Sequence, residues 1–167
     1  MDDIIINVVK QEDLAELSKI YVQLYDNASI GEYWSAETAY RLLEYWYKMQ
    51  QDLFLVAYVN NKVAGAVMSG IKPWWDGIHL TDTEIFVSEE YQKLGIAKML
   101  YVKHFELAKE KYDAVEMEAH TYKDENGFPF SWYEKMGFEE DKGLIIIRGK
   151  VDEALQRLQE NKKTFKN

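Results

Sequence analysis

The chain has 167 residues, 47% of them hydrophobic, which suits one domain built around one core. Its 20 Lys and Arg stand against 29 Asp and Glu, a net charge of −9 that argues against nucleic acid or an anionic membrane as the main partner. With no Cys there is no disulfide framework, thiol nucleophile or thiolate metal site; no apolar run spans a bilayer and Met1-Asp2-Asp3 lacks a signal peptide's basic start, so a cytoplasmic location is expected.

Ile4 to Val9 is a β-branched run and reads as a strand. From Lys10 to Tyr25 the period changes: Leu14, Leu17, Ile20, Tyr21 and Leu24 recur at three and four, the pattern of an amphipathic helix. Asn27 to Trp34, with Gly31, reads as a loop, and Ser35 as the N-cap of a second helix carrying Ala39, Leu42, Leu43 and Trp46. Leu53–Val59 and Lys62–Ile71 read as paired strands around Asn60-Asn61, two residues that tolerate the positive φ of a tight hairpin turn. Lys72 to Gly77 is a loop and His79 to Val87 a strand.

That strand breaks at a polar turn, passes through Gln92-Lys93-Leu94-Gly95-Ile96-Ala97, and becomes a helix from Ile96 to Lys111. A strand-to-helix turn of this kind offers backbone N–H groups and a helix N-terminus to an anionic ligand. Gly95, without a Cβ, permits close approach, and Lys93 and Lys98 supply positive charge. Beyond it, Asp113–Ala119 reads as a strand, Phe130–Met136 as a short helix capped by Gly137, and Leu144–Gly149 as a last strand. Val151, Ala154, Leu155 and Leu158 mark a terminal helix, followed by a polar, frayed 162–167. Helices flanking a sheet in this order define an α/β or α+β fold.

Gln92-x-x-Gly95-x-Ala97 resembles the (Arg/Gln)-x-x-Gly-x-(Gly/Ala) signature of the GNAT superfamily of acyl-CoA-dependent N-acyltransferases. A second segment, Trp132-Tyr133-Glu134-Lys135-Met136-Gly137-Phe138 with Asn126 seven residues before Tyr133, resembles that family's aromatic-Tyr-x-x-x-Gly-Phe stretch. The resemblance runs over nearly the whole chain. It implies one GNAT domain over residues 1–167, with a mixed central β-sheet flanked by helices in the order β-α-α-β-β-β-α-β-α-β plus a C-terminal helix. It also implies acetyl-CoA as co-substrate. The pantetheine arm would meet the backbone of Ile85, Phe86 and Val87, and the pyrophosphate the loop of Gln92, Lys93, Leu94, Gly95, Ile96, Ala97 and Lys98. Asn126 matches a cofactor contact, and Tyr133 the phenol that protonates the departing thiolate.

A base is harder to place. The family often carries a Glu on the strand before the phosphate loop, but the matching positions here are Thr81 or Thr83. Glu84 and Asp82 lie beside them, and in a regular strand they face the other way unless a bulge re-aims one. Glu84 is the first choice, with His120 or a water chain as alternatives. By the resemblance, the acceptor pocket is built from the 29–34 loop, with Glu32, Tyr33 and Trp34, and from the 72–77 loop, with Trp74, Trp75 and Asp76. His120 is added as a neighbour. The Trp pair offers an aromatic wall and the carboxylates a partner for a cationic amine. Glu116, Glu118 and His120 share one face of their strand, a polar wall. The spacings of His79, His104 and His120 make no metal motif, so no metal is expected.

The reading is direct acetyl transfer to a primary amine of a small molecule or peptide, in a ternary complex because no Cys nucleophile exists. Polyamine, aminoglycoside-like compound, amino acid and peptide N-terminus all stay open. The family's habit of dimerising makes a homodimer an expectation. The rival readings are an acyl-CoA-binding sensor without catalysis, an enzyme of the same fold using another acyl donor or acceptor nucleophile, and a protein-interaction domain using the Trp-rich surface.

Overall fold

A computed structural model describes residues 3–28 and 31–160; side chains of 26–28 are not described. Ser29 and Ile30 of the expected acceptor loop, and the 162–167 tail, lie outside the described residues. The chain divides into two compact units, Met1–His120 and Thr121–Asn167.

The first unit holds a five-stranded sheet in sequential order. It comprises β1 (Ile4–Val8), β2 (Leu55–Val59), β3 (Lys62–Pro73), β4 (Ile78–Val87) and β5 (Ala114–Met117). The first four strands pair antiparallel and β5 joins β4 in parallel, giving the mixed sheet that the sequence leads one to expect. The helices are α1 (Leu14–Ala28), α2 (Ala36–Met49) and α3 (Ile96–Tyr112). A 3₁₀ turn over Gln11–Asp13 precedes α1, which runs three residues past the expected end at Tyr25. Ser35 caps α2 as expected, accepting from the Thr38 N–H while Thr38 Oγ1 accepts from the Ser35 N–H. Asn60 and Asn61, at φ 50° and 65°, close the β2–β3 hairpin with the primed-turn geometry expected of them.

Two apolar clusters stand out among the described residues. One joins α1 and α2 (Leu14, Leu17, Tyr21, Leu43, Trp46) to Val56, Ala66, Met68 and Phe86 of the sheet. The other joins Leu53, Leu80 and Ala108 of α3. In α3, the buried His104 is hydrogen-bonded to Ser69 Oγ at 3.0 Å, and burial holds its imidazole down at about 4, so it stays neutral in the core.

In the second unit, α4 (Phe130–Glu134) and α5 (Val151–Glu160) form as expected, with Gly137 in the left-handed region at φ 90° just past α4. The expected last strand does not form. Residues 144–149 have no regular secondary structure, and Leu144, Ile145, Ile146 and Ile147 are exposed. β-Branched residues favour a strand only when an edge receives them, and no ladder partner for this run exists among the described residues.

The approach of β3 to the end of β4 depends on Gly65. A Cβ there would stand 2.4 Å from the Phe86 carbonyl oxygen and 2.8 Å from Val87 Cα, backbone atoms that cannot yield. Gly65→Ala is therefore expected to destabilise the fold by about 1–3 kcal/mol, read as a lower urea midpoint with an unchanged slope. An unshifted midpoint would show that the strands part freely here.

Candidate active site

The site starts from an irregularity. Met68 pairs with Glu84 and Gly70 with Thr81, so Ser69 alone stands opposite Asp82 and Thr83. That is a β-bulge on β4, with Asp82 in the left-handed region at φ 49°. Because side chains alternate with a period of two, one extra residue exchanges the faces for everything that follows. Leu80, before the bulge, packs in the α3 cluster; Phe86, after it, packs with α1 and α2. Glu84 crosses with Phe86. The bulge named as the condition for re-aiming a carboxylate is present, and Glu84 is the residue it re-aims.

Glu84 meets α1 there. The Tyr21 hydroxyl donates to Glu84 Oε2 at 2.7 Å. The Tyr21 ring stacks on Tyr25 at 4.3 Å and lies edge-on to Trp34 and Phe86 at 5.2 Å each. Trp34 Nε1 donates to Glu32 Oε2 at 2.8 Å. Burial holds the Glu84 carboxyl above the ordinary carboxylate range; the Tyr21 hydroxyl pulls it back, and the negative charges of Glu32 and Asp82 add to the rise. Burial and the neighbouring Glu84 push the Tyr21 phenol upward, so it stays a donor. The result is an aromatic wall beside a poorly solvated carboxylate, with Glu32 as a second negative charge. That arrangement attracts a cation and can take a proton from it.

β4 then runs into the Gly95 loop. A 3₁₀ turn over Glu89–Tyr91 follows the strand, and Gln92 Nε2 donates to the Val87 carbonyl at 3.1 Å, tying the loop to the strand end. Gln92 thus anchors the turn. Lys93 and Gly95 have φ 66° and 81°, and Gly95 is the N-cap of α3, with nothing within 4 Å of where its Cβ would stand. The Met99 N–H makes the helix's first bond, to the Gly95 carbonyl, so the N–H groups of Ile96, Ala97 and Lys98 have no acceptor within the helix. Lys93 and Lys98 are exposed beside them.

β5 pairs with β4 only from Ile78 to Leu80. From Thr81 to Val87, no described strand pairs with the β5 side of β4, so the outward backbone groups of Ile85–Val87, apart from the Val87 carbonyl that Gln92 engages, can meet an extended, amide-bearing chain. An open edge leading to a phosphate-type loop fits the arm and pyrophosphate of coenzyme A.

The other expected site residues are placed as follows. Tyr33 is 94% exposed. Trp74, Trp75 and Asp76 precede β4 at the end opposite the loop, with Trp75 at 88% exposure and Lys72 Nζ 3.7 Å from the Trp74 ring centroid. Asp76 there joins His79 instead of Glu84. His120 is exposed, its Nδ1 4.0 Å from Asp82 Oδ1. In the second unit, Asn126 lies in an exposed turn, its N–H bonded to Asp124 Oδ1, and Tyr133 is buried, edge-on to Trp132 and Phe138. The helical pattern puts Tyr21 only on the apolar face of α1 and Tyr25 only at its end, so it does not single out either phenol for the site. Their i, i+4 spacing is the signal that puts two phenols on one face.

A chain with this sheet, this loop and this carboxylate belongs to the acetyltransferase (GNAT) family, whose model matches residues 14–138. No curated protein matches it. Among solved structures it is similar to a "possible acetyltransferase" of Clostridium difficile 630 (TM-score 0.73, 18% identity, covering 89% of this chain and 98% of that one). It is also similar to a transcriptional regulator of Bacillus halodurans C-125 (TM-score 0.71, 16% identity, 88% and 100%). A third is the aminoglycoside N-acetyltransferase AAC(6')-Iy in complex with CoA (TM-score 0.67, 20% identity, 90% and 97%). At these identities the likeness is one of fold.

Glu84 also sets a stability test. Its folded pKa is raised, so its favourable contribution is full below the unfolded value of about 4.3 and is lost as pH rises through the folded value. Glu84→Gln is therefore expected to raise the melting temperature at pH 7–8, with the gain shrinking to nothing near pH 4. A gain that does not depend on pH, or a loss at neutral pH, would show that the carboxylate is comfortably solvated.

Proposed function

We propose that this protein transfers an acetyl group from acetyl-CoA to a primary amine that arrives as a cation on a small molecule or peptide. The observation that carries the reading is the bulge-directed carboxylate of Glu84. Its place on the α1 side supports a base where Thr81 and Thr83 offer none.

The loop from Gln92 to Lys98 would hold the pyrophosphate through backbone N–H groups, and Ile85–Val87 the pantetheine amides. Acetyl-CoA, when bound, supplies an activated thioester carbonyl. An ammonium is drawn by Glu32, Glu84 and the faces of Tyr25 and Trp34, and the chain's net −9 charge favours its approach. Glu84 takes one proton, freeing the nitrogen lone pair; its raised pKa makes it a better base than an exposed carboxylate. As the C–N bond forms, the C–S bond breaks and the nitrogen sheds a second proton to solvent. By the family resemblance Tyr133 gives its hydroxyl proton to the sulfur and is reprotonated from water. Amide, free thiol and one net proton result. The loop at Trp74, Trp75 and Asp76 remains a proposed secondary contact for longer acceptors.

Thiol release from acetyl-CoA, followed across diamines, aminoglycosides, amino-acid amides and peptides, tests this. Acceptor-dependent release is expected, strongest with amines carrying a second positive charge. Glu84→Gln should lower the rate by about a hundredfold, most at low pH where little amine is neutral. Tyr133→Phe should lower turnover while leaving acetyl-CoA affinity unchanged. Tight acetyl-CoA binding without release to any acceptor would contradict the proposal and favour the sensor reading.

A further inference from the structure

At the start of β4, away from the Gly95 loop, His79 is 97% buried and has a carboxylate at each ring nitrogen. Glu118 Oε1 lies 2.9 Å from Nδ1, and Asp76 Oδ1 lies 2.9 Å from Nε2, with Glu116 Oε2 4.0 Å from the same nitrogen. Strand pairing sets this up. His79 is registered against Glu116, the Glu118 N–H bonds the Leu80 carbonyl at 2.8 Å, and the Trp74 N–H bonds the Gly77 carbonyl at 2.7 Å in the turn that carries Asp76.

A neutral imidazole has one N–H, so it can donate to only one of these carboxylates. The other nitrogen then directs a lone pair at anionic oxygens, which only a cation reconciles. The two nitrogens are not alike. Nδ1 faces one carboxylate, and an N–H there is satisfied by Glu118. Nε2 faces two, so Nε2, Asp76 Oδ1 and Glu116 Oε2 converge, all within 4.8 Å of one another. A proton on Nε2 pairs with Asp76 and leaves the more exposed Glu116, 4.0 Å away, to solvent. A divalent ion answers both.

We propose that Asp76, His79 and Glu116 bind a divalent transition metal of the zinc class, with Glu118 orienting His79 through Nδ1. Tetrahedral donors at zinc distances of about 2.0–2.1 Å sit about 3.3 Å apart, and the 2.9 and 4.0 Å separations around Nε2 bracket that value. A carboxylate on the far nitrogen is the usual support of a metal-bound imidazole, fixing its tautomer and raising its basicity. Asp76 and Glu116 are partly exposed, so metal can enter and a water can fill the fourth position. The imidazole selects zinc-like ions over calcium and magnesium, which prefer all-oxygen shells. His79 is five residues before Glu84 along β4, at most roughly 16 Å in an extended strand, so the site lies apart from the proposed proton transfer, sharing only Asp76 with the proposed secondary acceptor contact. It departs from the expectation of no metal because its ligands come from a turn and two strands, a set that no spacing along the chain displays.

Zinc titration of the full chain by calorimetry tests it, with Co²⁺ as a spectroscopic stand-in. One zinc per chain is expected, accompanied by tetrahedral-type visible absorption of the Co²⁺ form and unaffected by a large excess of Mg²⁺. His79→Gln should abolish binding, and Glu118→Gln should weaken it 10–100-fold. Glu116→Gln, at an exposed side chain that leaves folding intact, should weaken binding at least tenfold. Circular dichroism confirms that each variant is folded. No zinc uptake by the unmodified chain, or equal affinity in Glu116→Gln and the parent, would overturn the proposal.

Discussion

Ser69 faces two residues of β4 where a regular ladder would give it one, and the site follows from that mismatch. A strand without the bulge would send Glu84 to the face that Leu80 shares with α3, away from Tyr21. With the bulge, Glu84 meets the Tyr21 hydroxyl, and Phe86 completes the aromatic packing of α1. Gly65 holds the same strand end from β3, and Gln92 ties the following loop to Val87, so carboxylate, open edge and loop are placed by one strand.

β4 therefore serves two ends. Past the bulge no described strand pairs with its β5 side, and it leads to N–H groups without an acceptor in the helix at the start of a 17-residue helix, the electropositive end of a helix dipole. At its beginning it is paired with β5, and the pairing stacks His79 beside Glu116 and Glu118. The two ends handle charge oppositely. The loop gathers N–H donors and the exposed Lys93 and Lys98, whereas the strand start gathers the carboxylates of Asp76, Glu116 and Glu118 around His79. Between them, Glu84 is kept partly desolvated, which costs stability and makes the carboxylate more basic.

What the sequence displayed was local chemistry. The Ser35 cap, the Asn60-Asn61 turn and Gly95 at the helix start each depend on a few adjacent residues, and each formed as read. The GNAT motif was legible for the same reason, its function resting on backbone shape over six residues. Glu84 was only conditionally legible, because its face depends on a pairing with β3 that β4's own pattern does not encode. The grouping of Tyr21 with Trp34 and of His79 with Asp76 and Glu118 is tertiary, and a helical period or a His spacing carries no trace of it. The run Leu144 to Ile147 shows the converse, strand propensity without a strand edge to receive it.

The central claim is that the bulged strand and the Gly95 loop form a coenzyme A site, and a thermal-shift titration with acetyl-CoA and with CoA tests it most directly. A ligand at about a hundred times its dissociation constant stabilises a fold by roughly 2.7 kcal/mol, several degrees for a chain of this size. The account predicts a saturable rise of that order for both ligands, abolished in Gly95→Glu, which adds bulk and negative charge where the pyrophosphate would lie. An unshifted melting temperature at millimolar ligand, or an equal shift in Gly95→Glu, would contradict it.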